Sequence, residues 1–318
     1  MGDAFTTRFA PAPTGYLHLG HVANAIYVWG MARANSGKVL LRLEDHDRQR
    51  CRPEYQTALL EDLEWLGFTP DQPSFAELRQ GPSSFRQSDN HTAYEGALEV
   101  LRARHRVYAC ECSRKDEAVR ASKADETARS EEGETAGEAP YSGRCRERGL
   151  SPGPGRGLRV VIEPGQETFT DLLLGEQRQD PSRQCGDLML RDRLGNWTYQ
   201  FAVVVDDLRH RVTTVIRGED LLASTGRQIR LARMLGADRS PEFAHHPLIL
   251  KPSGDKLSKA NQDTAVRELR ANGISAPEVI GHAAAAVGLI PEFRPVGAVE
   301  GLFSRQTLAV SRQPSTSS

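Results

Sequence analysis

The sequence predicts an α/β fold built around a parallel sheet. A short apolar run over residues 5–9 is followed by a loop rich in proline and glycine, and then by apolar residues at helical spacing from about Gly20 to Ala34. Residues 38–45 have the pattern of a strand that is buried on most sides. This strand–helix–strand order is typical of parallel sheets, and ligands in such folds bind beyond the carboxyl ends of the strands.

Length and charge limit the classes of function. The chain has 318 residues, enough for one large domain with appendages or for two domains. Its net charge is −1, so no overall positive field attracts nucleic acid, and RNA contacts would depend on local clusters. No apolar run approaches the roughly 18 residues of a membrane span, and the first residues do not resemble a signal peptide. We expect a cytoplasmic monomer without a membrane partner.

Helices and loops alternate in the rest of the first half. Pro53–Leu66 has the pattern of an amphipathic helix, and Gly67 is expected to end it. A loop rich in proline, serine and glutamine is expected up to Pro82, and a further helix from about Asn90 to Arg104.

The second half returns to strand patterns. Leu158–Glu163 and Val212–Ile216 predict buried strands, residues 191–196 predict a hairpin turn, and residues 197–207 lead back toward the core. Two helices are expected at about 263–271 and 276–289, before a polar tail.

Two imidazoles lie three residues apart where the first helix begins. His18 and His21 stand at a loop-to-helix junction, where unpaired backbone N–H groups and the positive end of the helix dipole favour a phosphate. The spacing alone also fits two ordinary surface or core histidines. A second segment, Lys256–Leu257–Ser258–Lys259, favours phosphate chemistry because positive charge stabilises in-line displacement at phosphorus.

Together these two segments resemble the HIGH-type and KMSKS-type signatures of class I aminoacyl-tRNA synthetases. The resemblance implies a Rossmann-like catalytic domain in which an amino acid carboxylate attacks the α-phosphate of ATP, with Mg²⁺ present. The histidines would stabilise the charge on that phosphate, and the lysines would hold the departing pyrophosphate. It implies catalytic roles for His18, His21, Lys256 and Lys259, and an ATP site formed by His18, Gly20, His21, Lys256, Leu257, Ser258 and Lys259.

The charged segment 44–48 follows the second predicted strand. By itself it fits a solvated turn as well as a binding site. The stretch 42–45 resembles the glutamyl type of these synthetases, which implies that Glu44 lies near a substrate ammonium group. Arginine binds carboxylates in a bidentate manner, and glutamate has two of them. The same resemblance implies a glutamate site formed by Arg8, Phe9, Ala10, Pro11, Ala12, Glu44, Tyr199 and Arg217.

One position in this set departs from the family pattern. Ala12 stands where the family commonly has serine, so we expect a hydroxyl contact with the substrate to be missing or supplied by water. The sequence leaves open which arginine takes which carboxylate.

The chain has five cysteines, an odd number that argues against a disulfide scaffold. Cys110, Cys112 and Cys145 could supply three thiolates to a tetrahedral structural zinc, although simple burial explains the spacing as well. Residues 121–139, between the second and the third of them, hold six acidic and two basic residues and no aromatic residue. We predict a disordered insertion there.

This cysteine pattern resembles the Cys-x-Cys…Tyr-x-x-x-Cys zinc site of glutamyl-queuosine tRNA(Asp) synthetases. The resemblance implies one structural Zn²⁺ per chain, held by Cys110, Cys112, Tyr141 and Cys145. Tyrosine is an unusual ligand, so His105 or a water molecule is the alternative for the fourth position. The remaining cysteines, Cys51 and Cys185, are expected to be packing residues.

The resemblance covers about residues 6–290 and implies a division of the chain. We expect two halves of the catalytic domain (1–108 and 151–260, the second with the lysine motif), a zinc-binding subdomain between them (109–150, with the insertion at 121–139), a helical carboxyl-terminal region (261–304) and a disordered tail (305–318).

A complete glutamyl-tRNA synthetase has a sizeable anticodon-binding region after the lysine motif, and only 59 residues follow Lys259 here. Val203 also stands where ordinary glutamyl synthetases tend to have asparagine. We therefore expect tRNA-independent activation of glutamate with ATP and its transfer to the queuosine base in the anticodon stem-loop of tRNA(Asp). The alternatives are a truncated glutamyl-tRNA synthetase that charges a 3′ end, and a zinc-stabilised RNA-binding module without catalysis. A module without catalysis would not need both motifs.

Overall fold

Two parallel strands joined by a helix begin the fold, as the sequence predicts. β1 (Thr6–Phe9) pairs in parallel with β2 (Lys38–Leu41), with Thr6 opposite Lys38, and α1 (Leu19–Ala34) connects them. Ten of the sixteen residues of α1 are buried, which indicates a helix covered on more than one side.

The structure is a computed structural model that describes residues 4–113, 140–249 and 264–303. The remaining strands, in chain order, are β3 (Val107–Cys110), β4 (Gly157–Val160), β5 (Glu167–Asp171), β6 (Gly175–Gln179), β7 (Leu188–Arg191), β8 (Thr214–Gly218) and β9 (Glu242–His246). The remaining α-helices are α2 (Pro53–Leu66), α3 (Phe75–Gln80), α4 (His91–Arg104), α5 (Pro181–Gln184), α6 (Tyr199–Arg209), α7 (Thr225–Met234), α8 (Val266–Ala271) and α9 (Ala276–Ala286).

The larger sheet carries the site. Its strand order is β6-β5-β9-β8, with β8–β9 and β5–β9 parallel and β5–β6 antiparallel. The amide of Thr213 donates to the carbonyl of Thr6 at 2.9 Å, which places β1 beside the start of β8. The two-stranded β1–β2 sheet therefore lies beside the four-stranded one, and the parallel-sheet α/β class predicted from the sequence is confirmed.

A smaller antiparallel sheet, β3-β4-β7, has a core of its own. Helices α4 and α6 cover it, and Tyr94, Leu98, Val160 and Phe201 are fully buried between these elements. β3 ends at Cys110, so this sheet carries the first cysteine of the predicted zinc site.

Several predicted elements are confirmed and one is wrong. Helix α2 has the predicted bounds, and Gly67 ends it in the left-handed conformation, with φ of 82°. The predicted loop up to Pro82 instead contains α3. Ser74 and Glu77 form a capping box there: the Glu77 carboxylate accepts from the Ser74 amide at 2.6 Å, which stabilises a short helix in a segment of loop-like composition.

Three predictions cannot be compared with the structure. The insertion at 121–139, the lysine motif at 256–259 and the tail at 305–318 lie wholly or almost wholly outside the described residues. Among the helices that are described, none is long and apolar enough to cross a membrane.

Candidate active site

The histidine motif forms the amino-terminal cap of α1. The Nδ1 atom of His18 accepts a hydrogen bond from the Gly20 amide at 3.1 Å, and the Nδ1 atom of His21 accepts one from the His18 amide at 3.2 Å. Because each Nδ1 accepts from a backbone N–H, each neutral imidazole carries its hydrogen on Nε2. The two rings lie 4.0 Å apart. The motif therefore holds two Nε2–H donors close together at the positive end of a helix.

Gly20 leaves room for the capping ring. A Cβ atom at Gly20 would lie 2.9 Å from the Cε1 atom of His18, so the ring would have to shift. The Val266 amide also donates to the Leu17 carbonyl at 2.8 Å, which ties the motif loop to the start of α8.

A network of buried charges lies at the carboxyl ends of β1 and β2. Asp207, at the end of α6, accepts from Arg8 Nε at 3.1 Å and from Arg42 Nη1 at 2.7 Å. Arg42 also donates through Nη2 to Glu44 Oε1 at 3.1 Å. Burial alone would raise the pKa of Asp207, but the two guanidinium groups hold that pKa below its usual range. Arg8 therefore has a carboxylate partner inside the protein already.

Arg217 is also buried, with only 3% of its surface exposed, but its hydrogen-bond partners differ from those of Arg8 and Arg42. It donates through Nε to His245 Nε2 at 3.0 Å, through Nη1 to Gln228 Oε1 at 2.7 Å and through Nη2 to Thr225 Oγ1 at 2.8 Å. None of these partners is a carboxylate. Burial lowers the pKa of Arg217, and Tyr199 and Asp207, which act in the opposite direction, offset this only in part.

Four residues predicted to bind glutamate meet at this point. The pKa of Tyr199 is raised by burial, and the charges that act on it next are those of Arg217, Glu44 and Arg8. The Arg8 Nη1 atom also lies 3.4 Å from the Ile216 carbonyl, which brings β1 beside the middle of β8. The spacing of these residues in the sequence is large, and the fold brings them together.

The loop predicted to contact the substrate runs beside the end of β2. The Phe9 carbonyl accepts from the Arg42 amide at 2.9 Å, and the Pro11 carbonyl accepts from the Glu44 amide at 3.1 Å. Phe9 and Pro11 are buried, whereas Ala10 and Ala12 are partly exposed. This backbone pairing holds the loop against the residue predicted to contact the substrate ammonium group.

Sequence reasoning missed four residues that hold the site together. Asp207 follows an apolar run of α6, and only its helical spacing from Tyr199 would have indicated a shared face. The other three, Asp171, Gln228 and His245, come from β5, α7 and β9, for which no element had been predicted. No motif marks them, because their role depends on which strands become neighbours.

Three of the five cysteines form a buried cluster. The Sγ atoms of Cys110, Cys112 and Cys145 all lie within 4.8 Å of one another, and those of Cys112 and Cys145 are 3.6 Å apart. Two ligands at Zn–S distances of about 2.3 Å in tetrahedral geometry would lie about 3.8 Å apart. Among the described residues this is the one group of histidine, cysteine and acidic side chains close enough to hold a metal ion.

Tyr141 lies beside this cluster and His105 does not. The Tyr141 hydroxyl is 3.5 Å from Cys110 Sγ and accepts from the Cys145 amide at 2.9 Å. About 3.5 Å is also the separation expected between an oxygen and a sulfur ligand of one tetrahedral zinc. The His105 Nε2 atom instead contacts the Met234 carbonyl at 3.1 Å, so the structure does not bring this alternative ligand to the cysteines.

The surroundings of Cys145 favour its thiolate form. Burial would raise the pKa of Cys145, but hydrogen bonds from the Glu111 amide and the Tyr141 hydroxyl outweigh it and lower this pKa to about 7. A metal ligand must be deprotonated, so the donor set and its surroundings fit a thiolate-bound ion.

The comparison with protein families decides the class. Residues 4–292 match the family model described as tRNA synthetases class I (E and Q), catalytic domain. The chain belongs to this family. It is therefore a ligase of the class I aminoacyl-tRNA synthetase type, and the geometry of the histidine motif and of the buried charges belongs to a synthetase catalytic domain.

Individual relatives agree with this class. The chain is 38% identical over 310 residues to a protein of Nitratidesulfovibrio vulgaris named Glutamyl-Q tRNA(Asp) synthetase, covering 95% of this chain and 92% of that protein. It is 40% identical over 272 residues to a protein of Oleidesulfovibrio alaskensis named Glutamate–tRNA ligase, covering 84% of this chain and 54% of the ligase.

A solved structure has the same fold. The crystal structure of a glutamate tRNA ligase from Elizabethkingia meningosepticum in complex with its amino acid matches with a TM-score of 0.67 and 31% sequence identity. The match covers 82% of this chain and 53% of that one. The chain thus spans about half the length of the glutamate–tRNA ligases it resembles.

Proposed function

We propose that this synthetase activates glutamate with ATP and Mg²⁺, without needing tRNA, and transfers it to the queuosine base in the anticodon of tRNA(Asp). The observation that carries the proposal is the buried Arg217, whose hydrogen-bond partners among the described residues are all neutral acceptors. A buried cation is costly unless a counter-charge joins it. A substrate carboxylate supplies that charge.

The pairing of charges in the network favours glutamate. Asp207 accepts hydrogen bonds from Arg8 and Arg42, and Glu44 accepts one from Arg42. Among the described residues, the carboxylate of Asp171 reaches Arg217 only through His245. A substrate carboxylate would supply a direct ion pair to Arg217 and the neutral amide of glutamine would not, which is a physical basis for discrimination between the two amino acids.

The arginines then have separate roles. Beyond its three hydrogen bonds, Arg217 has two N–H groups, which serve the Tyr199 hydroxyl and one substrate carboxylate. Arg8, which shares Asp207 with Arg42, keeps donors on its terminal nitrogens for the second carboxylate. Glu44 receives the ammonium group from the side that Arg42 does not occupy.

At the reacting centre, the Nε2–H groups of His18 and His21 donate to the α-phosphate as negative charge develops on it. Lys256 and Lys259 neutralise the departing pyrophosphate, and Mg²⁺ would supply further positive charge on the phosphates. Cys110, Cys112, Cys145 and Tyr141 would hold a structural Zn²⁺ that fastens the end of β3 to the segment around residue 145. The zinc takes no part in the chemical step.

Transfer to the anticodon, rather than to a 3′ end, is supported by the relatives. The match extends over 92% of the glutamyl-Q relative's length and over only 54% of the glutamate–tRNA ligase's length. Single-stranded loops expose base edges that a protein can bind, and the anticodon loop offers such a base. The anticodon stem-loop of tRNA(Asp) is therefore the proposed RNA partner.

Glutamate-dependent ATP–pyrophosphate exchange without RNA tests the activation step. Exchange should require glutamate and should not respond to glutamine or aspartate. Arg217→Gln should raise the KM for glutamate about 100-fold while the KM for ATP stays near its normal value, because a carboxylate partner is lost. Arg178→Gln is the matched control, since Arg178 forms an exposed ion pair with Glu176 on β6. Glutamate-independent exchange, or an unchanged KM in Arg217→Gln, would contradict the assignment.

A further inference from the structure

His245 lies fully buried between an anionic and a cationic side chain. Its Nδ1 atom is 2.6 Å from Asp171 Oδ2, and its Nε2 atom is 3.0 Å from Arg217 Nε and 3.2 Å from Thr225 Oγ1. Phe243, two residues earlier on β9, stacks on the imidazole with the ring planes 10° apart. The ring therefore has one orientation and a defined contact on each nitrogen.

The hydrogen-bond partners fix the tautomer of this imidazole. A guanidinium group only donates, so Nε2 must accept from Arg217 and cannot carry a hydrogen. The hydrogen then sits on Nδ1, where it is donated to Asp171. Burial lowers the pKa of His245, with the charge of Arg217 acting in the same direction, so the neutral ring is the stable form.

Asp171 is held so that one of its oxygens faces the imidazole. Its Oδ1 atom accepts three backbone amides, those of Leu173 and Leu174 at 3.0 Å and that of His245 at 3.2 Å. Three N–H donors leave that position suitable only for an acceptor. Oδ2 is therefore directed at Nδ1. These hydrogen bonds hold the pKa of Asp171 below its usual range, although burial alone would raise it.

We propose that Asp171 and His245 are positioning residues that set the orientation of Arg217 by holding the imidazole in its Nδ1–H tautomer. With Nε bound to His245, the guanidinium plane is fixed, and its remaining N–H groups stay directed at Tyr199 and the substrate carboxylate. This inference rests on the proposed function, because it presumes that Arg217 binds glutamate. It assigns a role in substrate affinity to residues that never touch the substrate.

The substitution Asp171→Asn separates this role from simple packing. The asparagine carbonyl must take the Oδ1 place, since three amides donate there, and its NH₂ group then faces His245 Nδ1. A donor at that point requires Nδ1 to accept, so the hydrogen moves to Nε2. Two donors, Nε2–H of His245 and Nε–H of Arg217, would then oppose each other. Shape and volume are almost unchanged, so the fold should persist while Arg217 loses its orientation.

The first measurement is the tautomer itself, by ¹⁵N NMR of histidine-labelled protein, with the His245 signal assigned by its loss in His245→Gln. In the native protein we expect a hydrogen on Nδ1 and none on Nε2. In Asp171→Asn we expect the reverse. A native ring with its hydrogen on Nε2 would overturn the proposal, and this result does not depend on any activity of the enzyme.

The second measurement is kinetic. Asp171→Asn should raise the KM for glutamate by about tenfold or more in pyrophosphate exchange, with the KM for ATP unchanged. Asp187→Asn is the matched control: Asp187 is also buried, but it bonds to Tyr108 and Arg146 in the smaller sheet, so it should affect stability and not the KM for glutamate. A reversed tautomer with a normal KM for glutamate would overturn the proposal. Loss of glutamate dependence in the native enzyme would instead refute the proposed function.

Discussion

Single hydrogen bonds determine the chemistry of the histidine motif. His18 and His21 each accept a backbone N–H on Nδ1, and this places the hydrogen of each neutral ring on Nε2. The same contacts cap α1, so one set of bonds begins the helix and selects the tautomer. Replacing either residue therefore has two effects of different size.

The first prediction concerns His18→Ala and His21→Ala. Each should lower glutamate-dependent exchange about 100-fold or more, because a donor to the transition state is lost. The loss of a capping contact should cost only about 1 kcal/mol of stability, so the fold should persist. His91→Ala is the control, since its side chain is 65% exposed on α4. Near-normal exchange in both motif variants would contradict the assignment of His18 and His21 to the ATP phosphate. Lys259→Ala should behave like the histidine variants.

At this scale the sequence predicted the residues that resemble a family motif and missed those that support them. Arg8, Glu44, Tyr199 and Arg217 were each identified from the resemblance, and the structure brings them together. Asp207 and His245 were missed because acidic and histidine side chains occur throughout the chain. Asp207 matters because it contacts Arg8 and Arg42, and His245 because it contacts Arg217. These contacts join residues that are distant in the sequence, so no local pattern indicates them.

At the scale of elements, the cysteine cluster joins the end of β3 to the segment that follows the insertion. If the cluster holds zinc, purified protein should contain about one zinc per chain by elemental analysis. Cys110→Ser or Cys145→Ser should lower both zinc content and stability, because metal binding is coupled to folding. Cys51→Ser should lower neither, and deletion of residues 121–139 should also leave both unchanged. A metal-free protein of full stability would show that the cysteines are only packed.

The contact between α2 and α8 carries a different prediction. Asp62 is 3% exposed, its Oδ2 atom has no hydrogen-bond partner in the described structure, and burial raises its pKa to about 6 despite Arg267 and Arg270 nearby. Since this pKa lies above the unfolded value of about 3.9, the folded protein binds the proton more tightly. Stability is therefore lost as the pH rises from about 4 to 6.

Replacing the Asp62 carboxylate by an amide removes the free-energy cost of burying its charge. Asp62→Asn should raise the free energy of unfolding by about 3 kcal/mol at pH 7.5 and by nearly nothing at pH 4. Urea unfolding at the two pH values measures this difference, with Glu54→Gln at the exposed start of α2 as the control. An equal gain at both pH values would mean that the charge of Asp62 is not the cause.

Helices with a clear periodic pattern of apolar residues were predicted, whereas strands whose position depends on pairing with a distant strand were not. α1, α2 and α4 have apolar residues at helical spacing, so their predicted bounds agree with the structure to within a residue or two. The hairpin β5–β6 alternates exposed and buried residues with few apolar ones among them, and its position beside β9 is a tertiary contact. Short antiparallel edge strands of polar composition give little periodic signal.

At the scale of the whole molecule, neighbouring strand ends bring together groups from four separated parts of the chain. The ends of β1 and β2 supply Arg8 and Glu44, β8 and β9 supply Arg217 and its support, and the motif loop leads from β1 into α1. The sequence predicted this class of fold because the strand–helix–strand unit is local. The neighbours of β8 could not be predicted, because strand order is set by contacts between distant segments.

The proposed transfer of glutamate to an anticodon base is central, and a transfer assay tests it most directly. Radiolabelled glutamate should be transferred to queuosine-containing tRNA(Asp), should remain bound after the 3′-terminal adenosine is removed, and should not load tRNA(Glu). tRNA(Asp) that lacks queuosine is the control and should accept no label. Loading of tRNA(Glu) that disappears after periodate oxidation of its 3′ end would contradict the claim and would show a glutamyl-tRNA synthetase instead.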